Sequence, residues 1–101
     1  YLVSAAIIAA GLDGIERELT PPPVCNENLY TLTLDEIAAR GIQTLPQSLK
    51  EAVTALKADS LFRDTLGAEI VDEFIDQKSM EWVEYCRHVS DWEVQRYTEF
   101  F

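Results

Sequence analysis

The chain has 101 residues, of which 48% are hydrophobic and 26% are charged, an ordinary composition for one globular unit. It carries 8 Lys and Arg residues against 18 Asp and Glu residues, and a formal charge of −10 disfavours binding to phosphate backbones and anionic lipid surfaces. We therefore expect no nucleic-acid partner and no membrane partner.

The first predicted element is an almost wholly apolar helix from Tyr1 to about Leu19. Such a helix belongs in a protein interior. Because no capping residue precedes it, we expect the chain to be the carboxyl-terminal piece of a longer protein that covers the helix. The apolar run from Leu2 to Ala10 is too short to span a bilayer and lacks the flanks of a signal peptide, so the expected location is cytoplasmic. Gly11 and Gly14 indicate close packing or a bend near the helix end.

Three prolines at positions 21–23 stop this helix, because proline has no N–H and disfavours helical geometry in the residue before it. The stretch from Val24 to Leu32 shows no clear period and predicts an extended loop. The apolar side chains expected to anchor this loop on a neighbouring surface are Leu29, Tyr30 and Leu32.

Capping boxes predict the next helices. Thr33 with Glu36 opens a short helix that Gly41 ends, and Ser48 with Glu51 opens another.

The second half of the chain predicts a brief helix from Leu61 to Leu66, closed by Gly67, and a long helix from about Ala68 to His88. A last capping box, Ser90 with Glu93, opens a final helix. The inner stripe of the long helix is predicted to be Val71, Phe74, Ile75, Lys78, Trp82, Tyr85 and Val89. With no credible strand pair, the segment is predicted to be all-α.

Candidate reactive groups are few. Cys25 and Cys86 have no Cys-x-x-Cys spacing, so we expect two unpaired, buried thiols. His88, near a helix end, is expected to be structural. The carboxylates between Glu69 and Glu81 lie along one predicted helix and indicate a solvated face, because a metal site also needs a converging second element.

The order of short motifs is the most specific feature of the chain. They are Ala10-Gly-Leu-Asp-Gly-Ile15, Asn28-Leu29-Tyr30, Leu45-Pro46 with Ser48-Leu49, Leu66-Gly67, Glu81-Trp82, and Trp92-Glu93 with Tyr97. Together they resemble the carboxyl-terminal end of type I glutamine synthetase over essentially the whole chain. The resemblance implies that residues 1–101 are the helical carboxyl-terminal part of an α+β catalytic domain, whose catalytic core lies upstream and is absent.

The resemblance implies an ATP-dependent ligase that phosphorylates L-glutamate with the help of Mg²⁺ or Mn²⁺ and joins ammonia to it, giving L-glutamine. In the family, the metal-binding carboxylates and phosphate-binding Arg residues lie before the point where this chain starts. No catalytic, cofactor-binding or metal-binding residue is therefore assigned in this segment. Alone it is expected to be inactive and to supply scaffold and oligomer contacts.

Two known features of the family involve residues in this segment. In some bacterial type I enzymes the Tyr of Asn-Leu-Tyr is adenylylated where Asp-Leu-Pro follows it, whereas Thr31-Leu32-Thr33 follows Tyr30 here. Tyr30 is thus a secondary candidate for modification, and packing as an anchor is favoured. Family members also form homo-dodecamers of two stacked hexameric rings, in which carboxyl-terminal tails reach into the opposite ring. The expected aromatic contacts are Tyr97, Phe100 and Phe101.

Three alternatives remain open at this point. The parent could join glutamate to an amine other than ammonia, as a gamma-glutamylamide ligase of the same family. It could be a catalytically inactive relative with a structural or regulatory role, or the chain could be an unrelated helical interaction module. Upstream metal-binding carboxylates separate active from inactive relatives, and an assay separates the amines.

Overall fold

The computed structural model describes residues 1–100, and of Phe100 only the backbone. The described residues form helices and connecting loops with no strand, so the predicted all-α class is confirmed. The α-helices are α1 (Leu2–Glu16), α2 (Leu34–Ala39), α3 (Leu49–Ala58), α4 (Leu61–Leu66), α5 (Ala68–Arg87) and α6 (Asp91–Tyr97), with 3-10 turns at Leu29–Thr31 and Thr98–Phe100. The chain divides into two units, Tyr1–Gln47 and Ser48–Phe101.

Helix α1 ends earlier than the prolines predict. Glu18 adopts a left-handed conformation with φ of 50°, and its backbone N–H donates to the carbonyl of Ile15 at 3.1 Å. The N–H of Leu19 donates to the carbonyl of Gly14 at 2.9 Å. These two bonds form a Schellman motif, in which a left-handed residue turns the chain back over the last helical turn. The helix is therefore closed by its own backbone before the prolines are reached.

The glycines of α1 have open surroundings within this chain. A Cβ atom built on Gly11 or Gly14 meets no other atom within 4 Å. The predicted close packing at these positions is therefore not made by the described residues.

Helix α2 begins and ends as the sequence predicts. The Thr33 hydroxyl accepts a hydrogen bond from the Glu36 N–H at 3.3 Å, and a Glu36 carboxylate oxygen accepts from the Thr33 N–H at 2.7 Å. Gly41, with φ of 72°, ends the helix, and the Ile42 N–H donates to the carbonyl of Ile37 at 3.2 Å. A left-handed φ at this position suits glycine because it has no Cβ to clash.

The two complete capping boxes predict a measurable response to acid. Hydrogen bonds from the backbone N–H and then the hydroxyl of Thr33 lower the pKa of Glu36 below its usual value of 4.5, and the same groups of Ser90 lower the pKa of Glu93. Both carboxylates therefore stabilise the folded chain above pH 4.5, and this contribution is lost as the pH falls through the lowered pKa. The double variant Glu36→Gln/Glu93→Gln should be less stable than the wild type at pH 6, with a smaller difference at pH 3.

Urea unfolding midpoints at the two pH values measure this effect at constant low ionic strength. Glu73→Gln is the matched control, because Glu73 is an exposed carboxylate on α5 that caps no helix. A difference between double variant and wild type that is the same at both pH values contradicts the prediction.

The second unit is organised around one side of α5. Val53 of α3 and Val71 and Ile75 of α5 form its buried cluster, each exposing 8% or less of its surface. The partly buried side chains packed against them are Leu49, Leu56, Phe62 and Leu66. Helices α3 and α4 thus cover the first half of α5.

The second half of α5 departs from the predicted aromatic inner face. Within this chain Tyr85, which lies in this half, exposes 70% of its surface. Phe74, in the first half, and Val89, which follows the helix, are also exposed. The prediction is wrong for these three side chains within this chain. Tyr85 and Val89 lie beyond the part of α5 on which α3 and α4 pack, and Phe74 does not belong to the buried cluster. This half of α5 therefore keeps uncovered apolar surface.

Gly67 joins α4 to α5 in one sharp turn. Its φ of 95° lies in the left-handed region that disfavours residues with a Cβ, and its carbonyl accepts from the Val71 N–H at 3.2 Å. An ion pair also links the two helices, with Arg63 Nη1 3.1 Å from Asp72 Oδ2. Both side chains are exposed, so the pair contributes little to stability.

Candidate functional site

The loop around Tyr30 is built by local hydrogen bonds. The Asn28 side-chain oxygen accepts from the Tyr30 N–H at 3.1 Å, and the Thr31 hydroxyl donates to the Asn28 carbonyl at 2.8 Å. An Asn that bonds the backbone two residues on favours a tight turn, and here it starts the 3-10 turn where the sequence predicted extended loop. Asn28 is therefore the residue from which this turn could have been predicted.

The phenol of Tyr30 projects from this turn into solvent. Its relative exposure is 101%, so within this chain the predicted role of Tyr30 as a packed anchor is wrong. A side chain in this position is sterically accessible to another protein or to a modifying enzyme.

An ion pair secures the loop before Tyr30. Arg40, just after α2, contacts the carboxylate of Glu27, and the hydrogen bond from the guanidinium to this carboxylate raises the pKa of Arg40. The two residues are 13 positions apart, so neither periodicity nor a motif predicted their contact. This ion pair links the loop of residues 24–28 to the end of α2.

The last helix presents aromatic surface to solvent. Trp92 and Tyr97 meet edge to face with ring centroids 6.2 Å apart, and both are exposed. The predicted tail contact at Tyr97 therefore lies on an uncovered surface of α6. The other two predicted contacts, the side chain of Phe100 and the whole of Phe101, lie outside the described residues.

The carboxylates of α5 do not converge. Among the described residues, no group of three or more His, Cys, Asp and Glu side chains is arranged to hold a metal ion. Asp72 is paired with Arg63, and a Glu81 oxygen lies 2.5 Å from Lys78 Nζ. His88 is exposed at the end of α5, where its backbone N–H donates to the Tyr85 carbonyl at 3.1 Å. The described residues thus do not fit a metal site.

The two thiols differ from prediction in one respect. Cys25 and Cys86 are unpaired, as expected, but both are exposed. Cys25 lies in the loop after the prolines, and Cys86 lies on the part of α5 that α3 and α4 leave uncovered. Their burial was predicted from residue type alone, whereas exposure depends on which helices reach them.

Helix α1 exposes many apolar side chains. We call this apolar surface the α1 surface, and its exposed side chains are Leu2, Val3, Ile7, Ile8, Leu12 and Ile15. Only Ala9 of this helix is buried. Large exposed apolar patches are rare on monomeric proteins and mark interaction surfaces, ligand grooves or sites of aggregation. None of the described helices has the length and apolar character needed to cross a membrane.

Comparison with known protein families matches residues 1–97 to the model of the glutamine synthetase catalytic domain. This chain belongs to the glutamine synthetase family. The resemblance seen in its motifs is confirmed, and its helices are therefore part of a glutamine synthetase-type catalytic domain. Tyr30, the α1 surface and the whole of α6 lie inside the matched region.

Individual relatives support the same family. The chain is 54% identical over 101 residues to a glutamate–methylamine ligase of Methyloversatilis universalis. It is 45% identical over 101 residues to a glutamine synthetase of Halobacterium salinarum and 44% identical over 97 residues to one of Thermotoga maritima. These alignments cover 96–100% of this chain but only 22–23% of each relative. The chain therefore spans less than a quarter of the length of the curated relatives it matches.

Proposed function

We propose that this chain is the carboxyl-terminal helical part of a glutamine synthetase, which joins ammonia to L-glutamate at the expense of ATP. The match of residues 1–97 to the catalytic-domain model carries this proposal, with relatives named glutamine synthetase as further support. The catalytic core lies upstream in the parent enzyme. The segment supplies the scaffold behind that core and contacts between subunits.

The α1 surface supports the scaffold role. Six large apolar side chains exposed on a 15-residue helix would be costly to leave in water, at about 25 cal/mol for each Å². Covering them with the upstream part of the same domain removes this cost. In this arrangement α1 is an interior helix of the parent, as its apolar composition predicts.

ATP and Mg²⁺ or Mn²⁺ belong to the parent enzyme in this proposal. Divalent ions need several converging oxygen ligands, and the described residues do not provide such a group. We therefore assign the metal-binding and phosphate-binding groups to the upstream part of the domain. The 101-residue segment is expected to bind neither cofactor and to be inactive alone.

A second function within the family has specific support. The relative named glutamate–methylamine ligase is 54% identical to this chain, against 44% and 45% for the two named glutamine synthetases. The alternative is thus a parent that joins glutamate to a small primary amine. The higher identity supports this second function as the alternative. In this proposal the amine-binding groups lie outside this segment, so ammonia remains the expected substrate.

An assay of the full-length parent tests both functions. We expect glutamate-dependent ATP turnover with ammonium to exceed that with methylamine, and the 101-residue chain to give none. Turnover with methylamine alone would assign the second function. No turnover with either amine would point to an inactive relative, and turnover by the short chain would contradict the scaffold role.

We also propose that the aromatic tail joins subunits of a homo-oligomer of stacked hexameric rings. The exposed Tyr97 on α6 supports this role, because aromatic side chains are common anchors at protein interfaces. Tyr30 remains a secondary candidate for covalent modification. Its full exposure permits the reaction, whereas the residues that follow it differ from the adenylylated pattern.

Deleting residues 97–101 from the parent should weaken pairing of the rings, because the deletion removes three aromatic side chains. Light scattering should show the mass falling to that of a single ring on dilution. Glu99→Ala is the matched control, since it changes the same tail without removing aromatic area. An unchanged mass for the deletion variant would refute the tail contact.

A further inference from the structure

No further inference is drawn: the strongest candidate, the shallow groove along the uncovered side of α5 between Ser79 and Arg87, has apolar walls at Met80 and Val83, and nothing in the structure shows what covers it.

Discussion

Replacing Ile75 by Ala is expected to unfold most of the second unit under mild conditions. Ile75 exposes only 4% of its surface and lies in the cluster with Val53 and Val71. Removing its buried carbons should cost about 2–5 kcal/mol, because transfer energy is lost and a cavity remains. A unit of this size has a small core and therefore a low free energy of unfolding. The same substitution in a larger domain would be tolerated better.

The helix itself provides a matched control. Ile70 lies on the same helix α5 but exposes 51% of its surface, so Ile70→Ala in this chain should change stability by roughly 0.5 kcal/mol or less. Ile75→Val, at about 0.5–1.5 kcal/mol, gives a graded loss in case the alanine variant does not fold. Guanidinium unfolding followed by circular dichroism at 222 nm compares all three. Equal midpoint shifts for Ile70→Ala and Ile75→Ala would show that the described core is wrong.

Replacing Ile7 by Asp is expected to destabilise the parent strongly and to change the stability of the short chain little. In this chain Ile7 exposes 67% of its surface, so a charge there stays hydrated and should alter stability by roughly 0.5 kcal/mol or less. In the parent, the proposed cover over the α1 surface would bury the carboxylate without a partner. An uncompensated buried charge costs on the order of 3–5 kcal/mol.

The midpoint of thermal unfolding, measured for both proteins, tests this contrast. Ile7→Leu is the control at the same position, because it keeps the apolar volume and should cost less than about 1.5 kcal/mol in the parent. A small, equal effect of Ile7→Asp in both proteins would mean that the α1 surface stays exposed. That result would remove the main structural support for a scaffold role, while the turnover assay would still decide the activity.

The helix boundaries show which features follow from local sequence. Both complete capping boxes, at Thr33 and Ser90, formed as their spacing predicts. Gly41 and Gly67 end their helices in left-handed conformations, as expected. These features need only groups within a few residues of each other. The end of α1 was missed because Glu18, which carries a Cβ, takes a conformation usually left to glycine.

Features that depend on distant partners were not predictable in the same way. The pair of Arg40 with Glu27 joins residues with no periodic relation. The exposure of Cys86 and Tyr85 depends on how far α3 and α4 extend along α5. For the candidate site, the sequence identified Tyr30 and Tyr97 as positions of interest, but their exposure depends on which residues pack against them.

From its sequence alone, this chain could be assigned to an all-helical segment of the glutamine synthetase family, because caps, glycines and motif order act over short distances. Tertiary structure alone decided which apolar side chains are covered within the segment. Val71 and Ile75 are buried because α3 and α4 pack on them, whereas Ile7 and Ile15 of α1 are exposed in this chain. Burial depends on which surfaces pack together, and such contacts join residues that are far apart in the sequence.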